Sequence, residues 1–312
     1  MNAILPPQPK TSTEIPHRPK PKGTGWELPT LAVLLATFAI WGLGLVAPVW
    51  LGIALVALAL AQHSSLTHEI LHGHPFPHRW MNETLGLLQI GLTVPYQRFR
   101  DLHLLHHLDS RLTDPYDDPE SNYLDPQVWA ALPAWRQTLL RVNNTLAGRM
   151  IIGPVLSQLS FMASDWRAIR SGDRAALVGW LLHLPSIAAT LAVVHWAGMP
   201  LWAYLLAVYI AMSILRIRTF LEHQAHLRAS GRTVIVEDRG ILAFLFLYNS
   251  LHVVHHMHPR VPWYHLPKLY RDNKARYVAR NQGYVYRSYR DVFAQYFWRA
   301  KDPVPHPLWH KG

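Results

Sequence analysis

The sequence of 312 residues contains no cysteine, and this absence removes several kinds of chemistry. Disulfides, thiolate metal sites and cysteine nucleophiles are all excluded. A metal bound by this chain must therefore be held by histidine, carboxylate, amide or water ligands.

Acidic residues are also scarce, with 19 Asp and Glu against 30 Lys and Arg, which gives a formal net charge of +11. In a soluble protein this excess would suggest nucleic-acid binding. Here, however, long uncharged runs alternate with basic stretches. Lysine and arginine are expected to crowd the cytoplasmic face of a membrane protein and to contact anionic lipid. The composition thus favours a protein in the membrane bilayer and no nucleic-acid partner.

Four uncharged runs have about the length that crosses a bilayer, which takes about 20 residues. They occupy residues 29–47, 48–66, 175–197 and 200–215. Short turns with glycine or proline join them in pairs, which predicts two helical hairpins. Lysine and arginine flank the outer ends of the hairpins and are absent from the turns within them. The positive-inside rule then places both termini and the long middle segment in the cytoplasm.

Three shorter apolar stretches, 84–95, 150–163 and 241–251, are predicted to be interfacial helices or helices packed against the bundle. The predicted fold class is an all-α membrane protein, with about four transmembrane helices in two hairpins and a cytoplasmic, histidine-rich helical cap. We expect a multi-pass protein of the bacterial inner membrane.

Three regions of different character are predicted along the chain. Residues 1–27 are rich in proline and basic residues and lack the apolar segment of a signal peptide, so we expect a disordered cytoplasmic tail. Residues 28–270 carry the apolar runs and the clustered histidines and are predicted to form the catalytic membrane domain. Residues 271–312 are basic, aromatic and polar, and are predicted to be a cytoplasmic C-terminal tail.

The most informative count is 20 histidines, most of them in clusters. Residues three or four positions apart lie on one face of a helix, so each cluster can direct its imidazoles towards one point. The candidate ligands are His68, His72, His103, His106, His107, His252, His255 and His256, with His223 after the fourth run. One metal seldom takes more than six ligands, and zinc usually takes four. Nine converging imidazoles therefore predict two metal ions.

Several polar residues beside the clusters are predicted to support the ligands directly or through water, and the three histidines among them are also candidates, less favoured, for metal ligands. They are Glu69, His74, Glu222, His226, Asn249 and His258. The isolated histidines are predicted to be structural or exposed; they are His17, His63, His78, His183, His195, His265, His306 and His310.

Two other classes of protein stay possible at this point. The segment from His68 to His72 satisfies H-E-x-x-H, the signature of zinc metalloproteases, with Glu69 as general base. That hypothesis leaves the two H-x-x-H-H clusters without a role. A metal transporter would require ionisable residues inside the spans, where His183 and His195 are candidates.

The clusters resemble those of the membrane fatty acid desaturase and hydroxylase superfamily, and in particular a bacterial branch of it. The resemblance covers roughly residues 30–270. It includes the motifs His-Glu-x-x-His-Gly-His-Pro at 68–75, Arg-Thr-Phe-Leu-Glu-His at 218–223 and Asn-x-x-His-x-x-His-His at 249–256. It implies a non-haem di-iron oxidoreductase with two iron ions and O2 as co-substrate, which desaturates or hydroxylates an acyl chain or lipid.

The resemblance also leaves the substrate and the electron source open. Similar enzymes modify polar lipid headgroups or small amino-acid-like molecules. No fused electron-carrier domain is recognisable, which implies a separate donor such as ferredoxin with its reductase. The acidic loop at 114–120 has two interpretations, a lid or cationic-headgroup site on the one hand and a solvated, proline-rich turn on the other.

Overall fold

The computed structural model describes residues 25–309. The predicted tail at 1–27 therefore lies almost entirely outside the described residues, as do His17 and His310. Within residues 25–309 the chain forms 15 α-helices: α1 (Leu28–Val46), α2 (Val49–Leu71), α3 (Arg79–Gly86), α4 (Tyr96–His106), α5 (Pro126–Ala130), α6 (Ala134–Asn143), α7 (Leu146–Ile151), α8 (Gly153–Arg170), α9 (Arg174–Trp196), α10 (Leu201–Thr219), α11 (Ile241–Leu245), α12 (His252–Met257), α13 (Leu266–Asp272), α14 (Lys274–Arg280) and α15 (Tyr289–Tyr296).

A small parallel sheet joins β1 (Ile235–Val236) to β2 (Val285–Tyr286), with Ile235 opposite Val285. Its two strands are 50 positions apart in the sequence, so the sheet ties the segment after α14 to the segment before α11.

Four of these helices, α1, α2, α9 and α10, are long and apolar enough to cross a membrane. The chain is an integral membrane protein, and the predicted all-α fold class is confirmed. Small residues permit close packing within the bundle: a Cβ atom on Gly52 would lie 2.5 Å from the carbonyl oxygen of Gly44, so α1 and α2 meet backbone to backbone. The alanines of α10, among them Ala203, Ala207 and Ala211, are buried in the same core as α2.

Helix α2 extends five residues beyond the predicted run at 48–66, and this extension reaches the first histidine cluster. Hydropathy falls at Thr67 because the residues are polar, yet the helix continues because their side chains are buried and bonded inside the protein. The Thr67 hydroxyl, for example, donates to the carbonyl of His63 at 2.9 Å. Similarly, α10 ends at Thr219, not at 215.

The stretch at 84–95 was expected to be a helix, and that expectation is wrong beyond Gly86. Residues 87–93 are irregular and lie between α2, α9 and α10, where their carbonyl groups need donors because apolar surroundings supply none. The ring of His63 lies 2.9 Å from the Leu88 carbonyl, that of His183 lies 3.1 Å from the Leu92 carbonyl, and the Tyr204 hydroxyl donates to the Ile90 carbonyl at 2.6 Å. Two isolated histidines within spanning helices thus have a structural role.

Two other short stretches also differ from expectation. The stretch at 150–163 includes the end of α7, at Ile151, and the first part of α8, which begins at Gly153 and ends only at Arg170. The stretch at 241–251 is not one helix: α11 ends at Leu245, and Leu247 and Tyr248 have positive φ angles of 49° and 54°. The third histidine cluster therefore lies on a separate helix, α12, and its direction is independent of α11.

The segment after residue 270 packs into the same core as the spanning helices. Tyr284, Tyr289, Val292 and Tyr296 are buried there beside residues of α10. The boundary at 270, proposed from the change in composition, does not mark a change in packing.

Candidate metal centre

The nine histidines predicted as ligands come together in two groups at one end of the spanning helices. The five-histidine group contains His68, His72, His103, His107 and His255, and the four-histidine group contains His106, His223, His252 and His256. In each group, one ring nitrogen from every residue lies within 4.8 Å of the others. The two groups are assembled from α2, α4, α12 and the chain after α10.

The two H-x-x-H-H clusters divide their rings between the groups in opposite ways. Residues four apart on an α-helix differ in direction by only about 40°, whereas adjacent residues differ by about 100°. On α4, His103 and His107 therefore point to the five-histidine group while His106 points to the other. On α12, His252 and His256 stay together in the four-histidine group, and His255 points to the five-histidine group. Each cluster thus serves both groups.

Ring nitrogens approach one another closely inside each group. The Nε2–Nε2 distances are 2.8 Å for His106–His223, 2.9 Å for His103–His107, 3.1 Å for His223–His252 and 3.2 Å for His107–His255. With metal–nitrogen bonds of about 2.1 Å, ligand nitrogens at right angles lie about 3.0 Å apart, and tetrahedral ones about 3.4 Å. Among residues 25–309, the buried Nε2 of His68 has no hydrogen-bond partner. This all-nitrogen donor set fits two transition-metal cations, one in each group.

Two carboxylates of the acidic loop hold histidines of the second cluster. Asp118 Oδ1 lies 2.8 Å from His106 Nδ1, and Glu120 Oε1 lies 2.9 Å from His103 Nδ1. The Asp118 carboxylate also accepts from the backbone N–H groups of Thr113 and Glu120, at 2.8 and 2.9 Å. A carboxylate on the far nitrogen fixes the tautomer and direction of a ligand ring.

Sequence reasoning missed both carboxylates, because it treated the loop at 114–120 as a lid, a headgroup site or a solvated turn. Asp118 is buried and both carboxylates face the histidines, so neither interpretation of the loop describes these two residues. The available signal was their position shortly after an H-x-x-H-H cluster, in the motif Asp-Pro-Glu-Ser at 118–121.

Three of the predicted supporting residues lie beside ligand candidates. Glu69 Oε1 is 3.6 Å from His68 Nδ1, and its other oxygen accepts from the backbone N–H of Trp263 at 3.1 Å. Asn249 Oδ1 lies 3.0 Å from His252 Nδ1. The amide nitrogen of Asn249 donates to Glu222 at 3.3 Å. A buried polar chain therefore supports the ring of His252.

The other three predicted supporting residues lie outside both groups. His74 Nδ1 is 2.6 Å from Glu27 Oε1, His226 Nδ1 accepts from the backbone N–H of Arg228, and the ring of His258 packs edge-on against Tyr277. These contacts are with residues other than the nine ligand candidates, and a supporting role for these three histidines stays a prediction.

Burial decides the protonation of four of these rings. Burial, and after it the neighbouring imidazoles, hold the pKa values of His107, His223, His252 and His255 well below 6.5. These rings are neutral at physiological pH, which is the form that binds metal. Burial also lowers the pKa of His106, but Asp118 and Glu120 outweigh that effect and raise it to about 9.

A comparison with protein families found a match to the model described as Fatty acid desaturase over residues 44–289, more than three quarters of the chain. The chain belongs to the fatty acid desaturase family. The matched residues include all nine histidines of the two groups. Membership makes this membrane protein an oxidoreductase of the desaturase and hydroxylase type, with a lipid or acyl substrate. No curated protein matched the chain.

Proposed function

We propose that the two histidine groups hold two iron ions and that the protein desaturates or hydroxylates an acyl chain or lipid in a reaction that requires O2. The observation that carries this proposal is the assembly of nine imidazoles into a group of five and a group of four. Imidazole ligands suit redox-active metals such as iron, and a pair of metals matches the number of ligands. When bound, the iron pair supplies the O2 reduction needed to attack an unactivated C–H bond.

The proposed reaction consumes two electrons and two protons along with O2. Desaturation removes two hydrogen atoms from adjacent carbons and yields two water molecules, whereas hydroxylation inserts one oxygen atom into a C–H bond and yields one. Both outcomes require an external reductant, and we propose a separate protein donor such as ferredoxin with its reductase. The net charge of +11 supports an acidic donor, since opposite charges accelerate association.

The contribution of the chain itself is to keep the ligands neutral, directed and shielded. His107, His223, His252 and His255 are held in their neutral form, and Asp118 and Asn249 fix the far nitrogens of His106 and His252. The rings lie at the end of apolar helices, which suits a substrate with a long hydrocarbon chain. We further propose that both termini lie in the cytoplasm and that the protein belongs to a bacterial inner membrane, from the distribution of lysine and arginine along the sequence.

The two alternative classes have weaker support. A zinc protease would use His68, His72 and one further ligand, but these two rings lie in a group of five. A transporter needs ionisable residues that face each other inside the spans, yet His63 and His183 contact backbone carbonyls and His195 is exposed.

Lipid mass spectrometry of cells that express the protein tests the proposal. Compared with cells that express the His106→Ala variant, wild-type cells should contain a lipid that has lost two hydrogen atoms or gained one oxygen atom. Fragmentation then places the change on the chain or on a polar headgroup, which separates the acyl and headgroup hypotheses. The purified wild-type protein should contain two irons per chain. One zinc and no iron would favour the protease, and identical lipids in both cultures would refute a lipid substrate.

A further inference from the structure

His223 is the one histidine of the nine that no helix holds. The other eight lie within α2, α4 or α12 or directly at the C-terminal end of α2 or α4. His223 follows α10, which ends at Thr219, in an irregular segment. Its ring nevertheless lies at the centre of the four-histidine group, 2.8 Å from His106 and 3.1 Å from His252. Something outside its own segment must therefore fix its position.

Two sets of contacts fix the backbone around His223. One comes from the chain that follows: the backbone carbonyl of Glu222 accepts from the N–H of Val234 at 3.1 Å, and the backbone N–H of Gln224 donates to the carbonyl of Arg232 at 2.9 Å. The other comes from the far end of the sequence, where the ammonium group of Lys301 donates to the carbonyl of His223.

The residue next to Lys301, Asp302, also holds this segment, at a point two residues after His223. The N–H of Ala225 donates to the hydroxyl of Tyr123 at 2.9 Å, and that hydroxyl donates to the Asp302 carboxylate at 2.5 Å. Lys301 and Asp302 are themselves 3.2 Å apart as an ion pair. One pair of charged residues thus holds the segment at His223 itself, through Lys301, and two residues after it, through Asp302 and Tyr123.

The C-terminal strap, defined here as residues 297–309, also reaches the loop that supports His106. Leu124 and the strap exchange two backbone hydrogen bonds, from Leu124 to Val304 at 3.0 Å and from His306 to Leu124 at 2.8 Å. The ring of His306 lies 3.3 Å from the hydroxyl of Thr113, whose backbone N–H donates to Asp118. Since Asp118 holds the ring of His106, the strap contacts the supports of two neighbouring histidines in the same group.

The burial of Lys301 favours a dedicated role over a chance contact. Its side chain is only 9% exposed, although lysine is almost never buried unless it is paired. Its recorded contacts are the Asp302 carboxylate, the His223 carbonyl and the face of the Tyr284 ring, 6.0 Å away. Burying an ammonium group without partners costs free energy. Here its partners are the carbonyl of His223 and the carboxylate of Asp302, which holds the same segment through Tyr123.

We propose that the C-terminal strap is a positioning element for the four-histidine group, and that Lys301 is the positioning residue that acts through the backbone of His223. This inference rests on the proposed metal centre. The strap lies beyond residues 44–289, the part of the chain that matches the family.

Cobalt binding to the full-length, purified protein tests the inference. Metal is removed with a chelator, and Co²⁺ is returned stepwise while its visible absorption and the competition with the chelator are followed. The variants are Lys301→Met, which removes the charge and the donor, and Tyr123→Phe, which removes one hydroxyl and keeps the ring against His306. The matched control is Lys268→Met, because Lys268 is exposed and pairs only with Asp272 among its recorded contacts.

The wild-type protein should bind two Co²⁺ ions. Lys301→Met and Tyr123→Phe should each bind one ion about tenfold more weakly, as is typical when a residue that supports a ligand is lost, and the other ion within about twofold of wild type. Lys268→Met should match wild type. Unchanged binding of both ions would overturn the inference and leave the metal centre intact. Equal weakening of both ions, or loss of the helical circular-dichroism signal in both variants, would make the strap a general support of the fold and would also overturn it. A wild-type protein that binds no cobalt would instead refute the metal centre itself.

Discussion

Asp118 offers the sharpest test of how the acidic loop contributes to the metal centre. Its carboxylate receives three contacts, from His106 Nδ1 and from the backbone N–H groups of Thr113 and Glu120. The change Asp118→Asn keeps the size of the side chain and one oxygen but removes the charge. It also replaces one acceptor atom with a donor, which cannot accept from an N–H group.

The size of the effect follows from these contacts. At least one of the three hydrogen bonds must be lost or reversed, and a hydrogen bond to a charged group contributes about 1.5–3 kcal/mol. Residues that orient a ligand imidazole typically change metal affinity by about 10–100-fold, equal to about 1.4–2.8 kcal/mol. The hydrogen-bond energy and the typical change in metal affinity thus give a similar loss of binding free energy. We therefore expect the four-histidine group, which contains His106, to bind Fe²⁺ at least about tenfold more weakly in the variant.

The assay is anaerobic competition between the purified protein and a coloured Fe²⁺ chelator, with Asp117→Asn as the matched control. Asp117 is the preceding residue, carries the same charge and is exposed, so its change alters the net charge equally without contact to a histidine. If the Asp118 and Asp117 variants release iron alike, the support of His106 by Asp118 contributes nothing measurable. The argument from the loop would then fail.

Two further predictions concern stability. Arg98 and Asp165 form a buried ion pair with two hydrogen bonds at 2.8 and 2.9 Å that ties α4 to α8. Arg98→Met should lower the free energy of unfolding by about 3–5 kcal/mol, because it leaves the charge of Asp165 buried without its partner. An unchanged thermal midpoint in detergent would contradict this. Protein stripped of metal should lose stability as the pH falls below about 6.5, because the histidines of the unfolded chain then bind protons and the folded rings, with their lowered pKa values, do not. A thermal midpoint in circular-dichroism melts that does not change from pH 7 to pH 5 would contradict this prediction. The rings concerned are His107, His223, His252 and His255. His106, with its pKa raised to about 9, has the opposite effect. Its protonated form contributes stability that is fully present below about pH 6.5 and is lost as the pH rises through about 9.

Periodicity made the helical part of the site predictable. Hydropathy located the four spanning helices, and the spacing of His103, His106 and His107 indicated one helix face. What periodicity did not show was the division of rings between two groups, although the same helical geometry explains it. Adjacent histidines differ in direction by about 100°, so an H-x-x-H-H cluster cannot serve a single point. Counting ligands predicted two metals, and the directions of the side chains were needed to assign each ring to a group.

The missed features share a different physical cause, since each depends on contacts between residues far apart in the sequence. His63 and His183 were expected to be structural or exposed, but the sequence did not show what they contact. Their rings lie beside the backbone carbonyls of the irregular residues 87–93, which pack between the helices. Asp118 belongs to a polar loop whose composition resembles that of a solvated turn. Local composition describes how a segment would behave alone in water, and it gives no information on which buried donors the segment must satisfy.

The segment after residue 270 shows the same limit most clearly, because its composition predicted a tail and its contacts bring it beside the four-histidine group. A basic, aromatic segment has enough apolar surface to pack when tyrosine hydroxyls find partners, as Tyr284 does with the carbonyl of Leu221 at 2.7 Å. That carbonyl lies two residues before His223. The segment therefore contacts the only one of the nine ligand candidates that lacks a helix at two places, through Tyr284 two residues before it and Lys301 at its own carbonyl. A ligand on an irregular segment requires support from elsewhere in the chain, and this requirement, unlike the identity of the support, can be inferred from sequence.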